Sequence, residues 1–272
     1  MGHQVGLIGA GIGASLSPAL HEREAAELGL DYSYTRLEID GRDIGTLLDE
    51  CRRAGYSGVN VTHPCKQAVV AHLDRLSPDA QALQAVNTVV FEDVSGHNTD
   101  TTGFAENVTR GLPDAALEHV VLLGAGGAGT AVALALLRLG TERLTVVDVD
   151  AERAASCVGR LDDPRAVAGS LDSLADADGL VHATPTGMEG HGSNLPLDEG
   201  LLHPDLWVAD IVYRPLETPL LQVARELGCR TLDGGGMAVF QAAGSFELFT
   251  GIEPDRERML SHFAELTATP VS

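Results

Sequence analysis

The sequence predicts an α/β protein of two parallel-sheet domains, one of them discontinuous. Three observations carry this. Short apolar runs alternate with helical patterns along the chain, the signature of parallel strands covered by helices on both faces. A turn-rich connector, "GLPDAALEH", interrupts that beat near residues 112–119. Two loops of the form G-x-G-x-x-[GA], Gly9–Ala14 and Gly124–Gly129, each follow a strand pattern. The first domain is expected to take 1–111 and 237–272, and the second 112–236.

The elements follow in order. Strands are expected at 5–8, 32–39, 58–62 and 85–91, and helices at 18–29 and 42–55. Ser17 before Pro18 reads as an N-cap and first-turn pair. A helix follows Asp100. From Val120 come strand "VVLLG", helix "GAGTAVALALLRLG", strand "RLTVVDV" and helix "AERAASCVGRL". Strands at 179–184, 206–213 and 230–234 enclose a helix at 218–228, and two helices, 237–250 and 254–267, close the chain.

Composition narrows the function classes. A net charge of −21 argues against nucleic acid and anionic membranes as partners. No apolar run reaches the roughly 18 residues of a membrane span. The start, "MGHQVGLIGAG", lacks a basic n-region and a cleavage site, so no signal peptide is expected. Cys51, Cys65, Cys157 and Cys229 show neither a CxxC nor a metal spacing, so no metal is expected and a reduced, cytoplasmic protein is the plain reading. Lys66 is the sole lysine among 18 basic residues. Under a bias toward arginine, a surviving lysine marks a place where arginine fails, since lysine can release a proton and arginine cannot. Chance is the other reading.

In a dinucleotide fold, such a glycine loop makes a tight turn and brings the pyrophosphate to a helix N-terminus. An acidic residue should then close the next strand. The second loop meets this test: Asp148 ends a strand 24 residues after Gly124. The first loop does not, because its next strand runs to Asp40, 31 residues after Gly9. Gly124, Gly126, Gly127, Ala128 and Gly129 are therefore the candidate pyrophosphate cradle. Asp148 is the candidate ribose ligand and favours NAD over NADP, because a carboxylate repels a 2′-phosphate. Arg153 either contacts the adenine or ribose, or is a solvent-facing helix residue.

Eight motifs in order, "SLSP", "GVNVTHPCK", "AVNTVV", "HNTDTTGF", "GAGGAG", "ATPTGM", "DIVYRPLETPLL" and "GGGMAVFQAAGSFELFTG", resemble the shikimate dehydrogenases from end to end. The resemblance implies a discontinuous substrate domain and a Rossmann-type dinucleotide-binding domain, with the active site in the cleft between them. It implies Lys66 and Asp100 as the catalytic pair. It implies Ser15, Ser17, Thr62, Lys66, Asn87, Asp100 and Gln241 as substrate ligands, with Tyr213 near the same pocket. Along the later motifs it extends the cofactor site to Thr184, Pro185, Val212, Gly234 and Met237. The implied partner is a ring hydroxy acid, and the implied assembly is a monomer or homodimer. Ser15 and Ser17 would hold the carboxylate without an arginine, plain helix capping being the other reading for both. Asn87, Asp100 and Gln241 would hold ring hydroxyls. Lys66 is expected at the start of a helix, where the dipole disfavours an ammonium; Asp100 would oppose that effect and hold the amine in place.

Two departures, Thr101 in place of glycine and "DVD" in place of an Asn-Arg-Thr stretch, resemble the NAD-dependent quinate/shikimate dehydrogenases of actinobacteria. The Ser-x-Ser spacing leans toward shikimate and leaves quinate open. His182 stands where asparagine is common and reads as a packed strand-end histidine or a cofactor contact. Two further readings are a paralogue acting on an aminoshikimate and a non-catalytic sensor on the same fold. The retained Lys66 and Asp100, and the lack of a basic extension, argue against the sensor.

Overall fold

The computed structural model describes residues 2–190, 192 and 194–268. The chain divides into two units, 1–102 with 239–272, and 103–238. Both crossings fall inside helices rather than in the connector at 112–119.

The first unit holds β1 (His3–Gly9), α1 (Ser17–Glu27), β2 (Tyr32–Glu38), α2 (Ile44–Arg53), β3 (Gly58–Val61), β4 (Arg75–Leu76), α3 (Pro78–Leu83), β5 (Thr88–Val90) and β6 (Ser95–His97). Helix α4 (Thr99–Gly111) starts here. The strand order is β2-β1-β3-β5-β6-β4. The expected all-parallel sheet is corrected: β5 runs antiparallel to both β3 and β6. The chain passes through β5 and β6 with a short turn at 91–94, and antiparallel strands need no longer crossover. Ile8, Leu47, Val59, Val61, Val69 and Val89 form this unit's buried core.

The second unit holds β7 (His119–Leu123), α5 (Gly127–Leu139), β8 (Arg143–Val147), α6 (Ala151–Leu161), β9 (Ala166–Ala168), β10 (Gly179–His182), β11 (Trp207–Asp210), α7 (Pro219–Glu226) and β12 (Arg230–Leu232). Its sheet is parallel throughout, in the order β12-β11-β10-β7-β8-β9. That is the doubly wound order, with its switch point between β7 and β10. Alternate residues of β7 enter different cores: Val120 and Leu122 pack in one cluster, Val121 and Leu123 in another. A strand covered on both faces has this signature.

Helix α8 (Gly235–Thr250) begins in the second unit and ends in the first, and α9 (Arg256–Ala268) closes the first. Glu24 of α1 is fully buried and accepts from Asp255 N (2.8 Å), Arg258 Nε (2.9 Å) and Arg258 Nη2 (2.6 Å), which ties α9 down. Among the described residues no helix is long and apolar enough to cross a membrane.

Candidate active site

One end of the first unit's sheet collects the expected catalytic and substrate residues. Strands β1, β3 and β6 end there, and the antiparallel β5 begins there. Ser15 and Ser17 follow β1, Thr62 and Lys66 follow β3, Asn87 precedes β5, and Asp100 lies in the first turn of α4 after β6. Gly9 lets the two loops close: a Cβ there would sit 2.4 Å from Thr62 Cγ2 and 3.0 Å from His63 O. Gly244 on α8 similarly approaches Thr99, its Cβ position lying 3.3 Å from Thr99 Cγ2. Gln241, three residues earlier on α8, shares that helix face.

Lys66 Nζ donates to Asp100 Oδ2 at 2.6 Å. Asp100 Oδ1 accepts from Asn87 Nδ2 at 2.9 Å. Lys66 does not open an α-helix as expected; it lies in a turn ahead of a short 3-10 stretch, Ala68–His72. The expected dipole therefore has no α-helix to supply it, and Asp100 is the group that holds the ammonium.

Ser17 is not the N-cap of α1 but its first residue. The N-cap is Leu16, without a side-chain cap bond; ahead of it Ser15 Oγ accepts from Ser17 N and donates to Ser17 Oγ, both at 3.3 Å. An outside acceptor would draw the Ser15 hydroxyl hydrogen away from Ser17 Oγ. Arg36 Nη2 donates to Ser15 O at 2.8 Å, so a cation does stand beside these serines. Sequence reasoning missed Arg36, which shows only as one of two charges, with Glu38, in a β-type run.

Asn87 is 3 % exposed and fully engaged. Its Oδ1 accepts from Thr88 Oγ1 and Thr99 N, and its Nδ2 donates to Asp100 and Thr99 Oγ1, each at 2.9 Å. An asparagine side chain offers two acceptor and two donor positions. Asn87 therefore orients Asp100 first, and reaches a ring hydroxyl only by releasing a present partner.

The two glycine loops differ in what fills them. In the first, Gly11 N and Ile12 N donate to the two carboxylate oxygens of Glu38 at 3.0 and 2.9 Å. The anion position is taken by the protein's own carboxylate, and β2 ends at Glu38, not Asp40. In the second, Gly124 adopts φ +112 and lies against the segment after β10, its Cβ position 2.7 Å from Ala183 O and 2.9 Å from Thr184 Cγ2. Gly129 crosses tightly over Gly124, 2.0 Å from its carbonyl oxygen by the same measure. Gly126 and Gly127 are exposed and meet nothing within 4 Å, and no side chain caps the N-terminus of α5 at Gly126. An uncapped 13-residue helix behind an open glycine cradle fits a pyrophosphate. Ala128 lies in the first turn of that helix.

Asp148 follows β8 with its side chain 7 % exposed. It accepts from Ala125 N and Asp150 N, both at 2.9 Å. Arg153 is held by Asp150 at 3.2 Å and stands 3.7 Å from Asp148. Val149 beside them is 98 % exposed. His182 is fully buried between Asp210 (3.0 Å) and Thr184 (2.5 Å), as a packed strand-end histidine. Thr184 and Pro185 follow it into the loop beside Gly124. Gly234 crosses the backbone of Ile211 and Val212, its Cβ position 2.3 Å from Ile211 O. Met237 is packed in the apolar core with Val181 and Trp207. Tyr213 belongs to the second unit, and burial pushes its phenol up.

Comparison with known proteins identifies the family. The family description "Shikimate dehydrogenase substrate binding domain" matches residues 7–89, and "Shikimate 5'-dehydrogenase C-terminal domain" matches 234–261. A shikimate dehydrogenase (NADP(+)) of Streptomyces avermitilis is 60 % identical over 97 % of this chain and 96 % of its own. A quinate/shikimate dehydrogenase (NAD(+)) of Corynebacterium efficiens is 48 % identical over 96 % and 98 %. The structure of quinate dehydrogenase from Corynebacterium glutamicum in complex with NAD superposes with a TM-score of 0.93 at 44 % identity, covering 97 % of this chain and 99 % of that one. With relatives this similar along nearly its whole length, the chain belongs to the shikimate dehydrogenase family.

Proposed function

We propose that the protein interconverts shikimate and its 3-keto form with NAD as hydride carrier, and that quinate is a second, poorer substrate. The observation that carries this reading is the Lys66–Asp100 pair at 2.6 Å, at the sheet end where Ser15, Ser17 and Thr62 gather. Oxidation of a secondary alcohol removes a hydride from carbon and a proton from oxygen. A bound nicotinamide dinucleotide supplies the hydride acceptor. Lys66, as the amine, takes the hydroxyl proton, and in the reverse direction its ammonium returns one to the oxygen. Asp100 fixes the amine and accepts from the substrate hydroxyl. Ser15 donates to the ring carboxylate at the start of α1, with Arg36 adding positive charge behind it. Gly126 and Gly127 admit the pyrophosphate, and Asp148 takes the adenosine ribose.

NAD is favoured because Asp148 puts a carboxylate at the end of β8. The relatives do not decide this, since the Streptomyces avermitilis protein is named for NADP(+) and the Corynebacterium efficiens protein for NAD(+). Steady-state assays of purified protein with shikimate and quinate, each with NAD and NADP, test the reading. The best rate is expected with shikimate and NAD; no turnover with either acid would overturn it.

A further inference from the structure

We propose that Tyr34, Asn60 and Thr88 form a one-way hydrogen-bond relay that positions Asn87 and Asp100, and through them Lys66, for proton transfer; this rests on the dehydrogenase reading above. Five bonds run in sequence within the first unit. Tyr34 Oη donates to Asn60 Oδ1 at 2.7 Å. Asn60 Nδ2 donates to Thr88 Oγ1 at 3.0 Å, and also to Asn87 O at 3.2 Å. Thr88 Oγ1 donates to Asn87 Oδ1 at 2.9 Å. Asn87 Nδ2 donates to Asp100 Oδ1 at 2.9 Å, and Lys66 closes the series on Asp100 Oδ2 at 2.6 Å.

The direction of each bond follows from the one before. Burial pushes the Tyr34 phenol up, so it remains a donor and holds the Asn60 carbonyl toward itself. The Asn60 amide must then face Thr88. Thr88 uses its oxygen on that amide and has its hydrogen left for Asn87 Oδ1. Thr99 N donates to the same oxygen at 2.9 Å. With two donors on Oδ1, the Asn87 amide can only face Asp100 and Thr99 Oγ1. Reversing Asn60 would set its carbonyl against Asn87 O, and reversing Asn87 would set its amide against Thr99 N and its carbonyl against Asp100, in a buried setting where a mispaired polar group is costly. Asn60 and Tyr34 are each 7 % exposed and Thr88 is fully buried. These three are positioning residues: they act on the proton-transfer pair through Asn87.

The test uses shape-conserving variants of the full chain. Thr88→Val removes the donor to Asn87 and should lower kcat by roughly ten- to a hundredfold, the scale of a misplaced catalytic group, with KM for the dinucleotide unchanged. Thr88→Ser restores the hydroxyl and should recover most of kcat. Tyr34→Phe frees only the far end and should cost less. A second readout needs no turnover: hydrogen exchange of the Asn87 side-chain amide by NMR. It should be slow in the parent and faster in Thr88→Val, while the β5 backbone amides keep their protection. An inactive parent would sink the function reading and leave this measurement standing. Unchanged Asn87 exchange in Thr88→Val, full kcat in that variant, or a Thr88→Ser enzyme as poor as Thr88→Val would each overturn the relay.

Discussion

Lys66 and Asp100 are joined at 2.6 Å, yet unequally buried: 19 % of the lysine side chain is exposed against 8 % of the aspartate. Asn87 pins the second carboxylate oxygen. The aspartate is thus the fixed partner and the ammonium the accessible one. A proton carrier needs that asymmetry, because the group that titrates must reach the reacting oxygen while its anchor stays in place.

Lys66→Ala should keep the fold and lower kcat by roughly 10²–10⁴, the span of a lost general acid–base. Lys66→Arg should be nearly as poor, because the guanidinium holds its charge at every working pH. Steady-state kinetics of both variants decide the matter, and a Lys66→Arg enzyme with most of its activity would refute the proton-carrier role.

Ser15→Ala and Gln241→Ala should chiefly raise KM for shikimate, since each removes binding present in both ground and transition states. Ser15 carries the stronger expectation: its hydroxyl donates to Ser17 Oγ at 3.3 Å, a long bond that a substrate carboxylate can replace. Unchanged KM in both variants would show that the substrate does not lie at this end of the sheet.

Where the apolar pattern is long, the sequence already contains the element. The stretch "AERAASCVGRL" is α6, Ala151–Leu161, to the residue. Two- and three-residue strands such as β4, β6 and β9 have too few positions to express a period. The reversal at β5 was invisible for a related reason: "AVNTVVF" is apolar whichever way it runs. The chemistry divides likewise. Lys66 stood out as a lone lysine, and Asp148 by its spacing from Gly124. Glu38, Asn60 and Thr88 carry no such mark. A polar residue within a strand reads as solvent-facing until its partner is known, and their partners lie 26 to 28 residues away.

His21 predicts a pH effect on stability. It is fully buried, and burial pushes its imidazole from 6.5 to about 3. Its ring bonds Tyr32 Oη at 2.8 Å and Ser245 Oγ at 3.4 Å. Between these two pH values the unfolded chain binds a proton that the folded chain refuses. Stability from this group is therefore full above pH 6.5 and falls as pH drops toward 3, by at most about 1.4 kcal/mol per pH unit. Denaturant melts of the parent and His21→Gln across this range should give a flatter curve for the variant. Parallel curves would mean that His21 charges without cost.

In the proposed reading the cofactor preference turns on Asp148 rather than on the glycines. The cradle would grip the pyrophosphate that NAD and NADP share, so it would not tell them apart. The two differ by one phosphate on the adenosine ribose. With NADP, a carboxylate at the end of β8 loses a hydroxyl partner and meets a like charge. A lost charged hydrogen bond is worth about 1.5–3 kcal/mol, which corresponds to a preference for NAD of roughly ten- to a hundredfold in kcat/KM before repulsion is added. Arg153 does little to offset this while Asp150 holds it at 3.2 Å. Asp148→Asn should erode the preference, chiefly by improving NADP. The structure adds a second effect: Asp148 accepts from Ala125 N in the glycine loop and from Asp150 N, one on each oxygen. Asparagine has one acceptor oxygen where the carboxylate has two, so part of this bracing is lost and KM should rise modestly for NAD. The measurement is kcat/KM for both cofactors at saturating shikimate, in the parent and in Asp148→Asn. Use of NADP by the parent as well as NAD, or better, would remove Asp148 from the ribose.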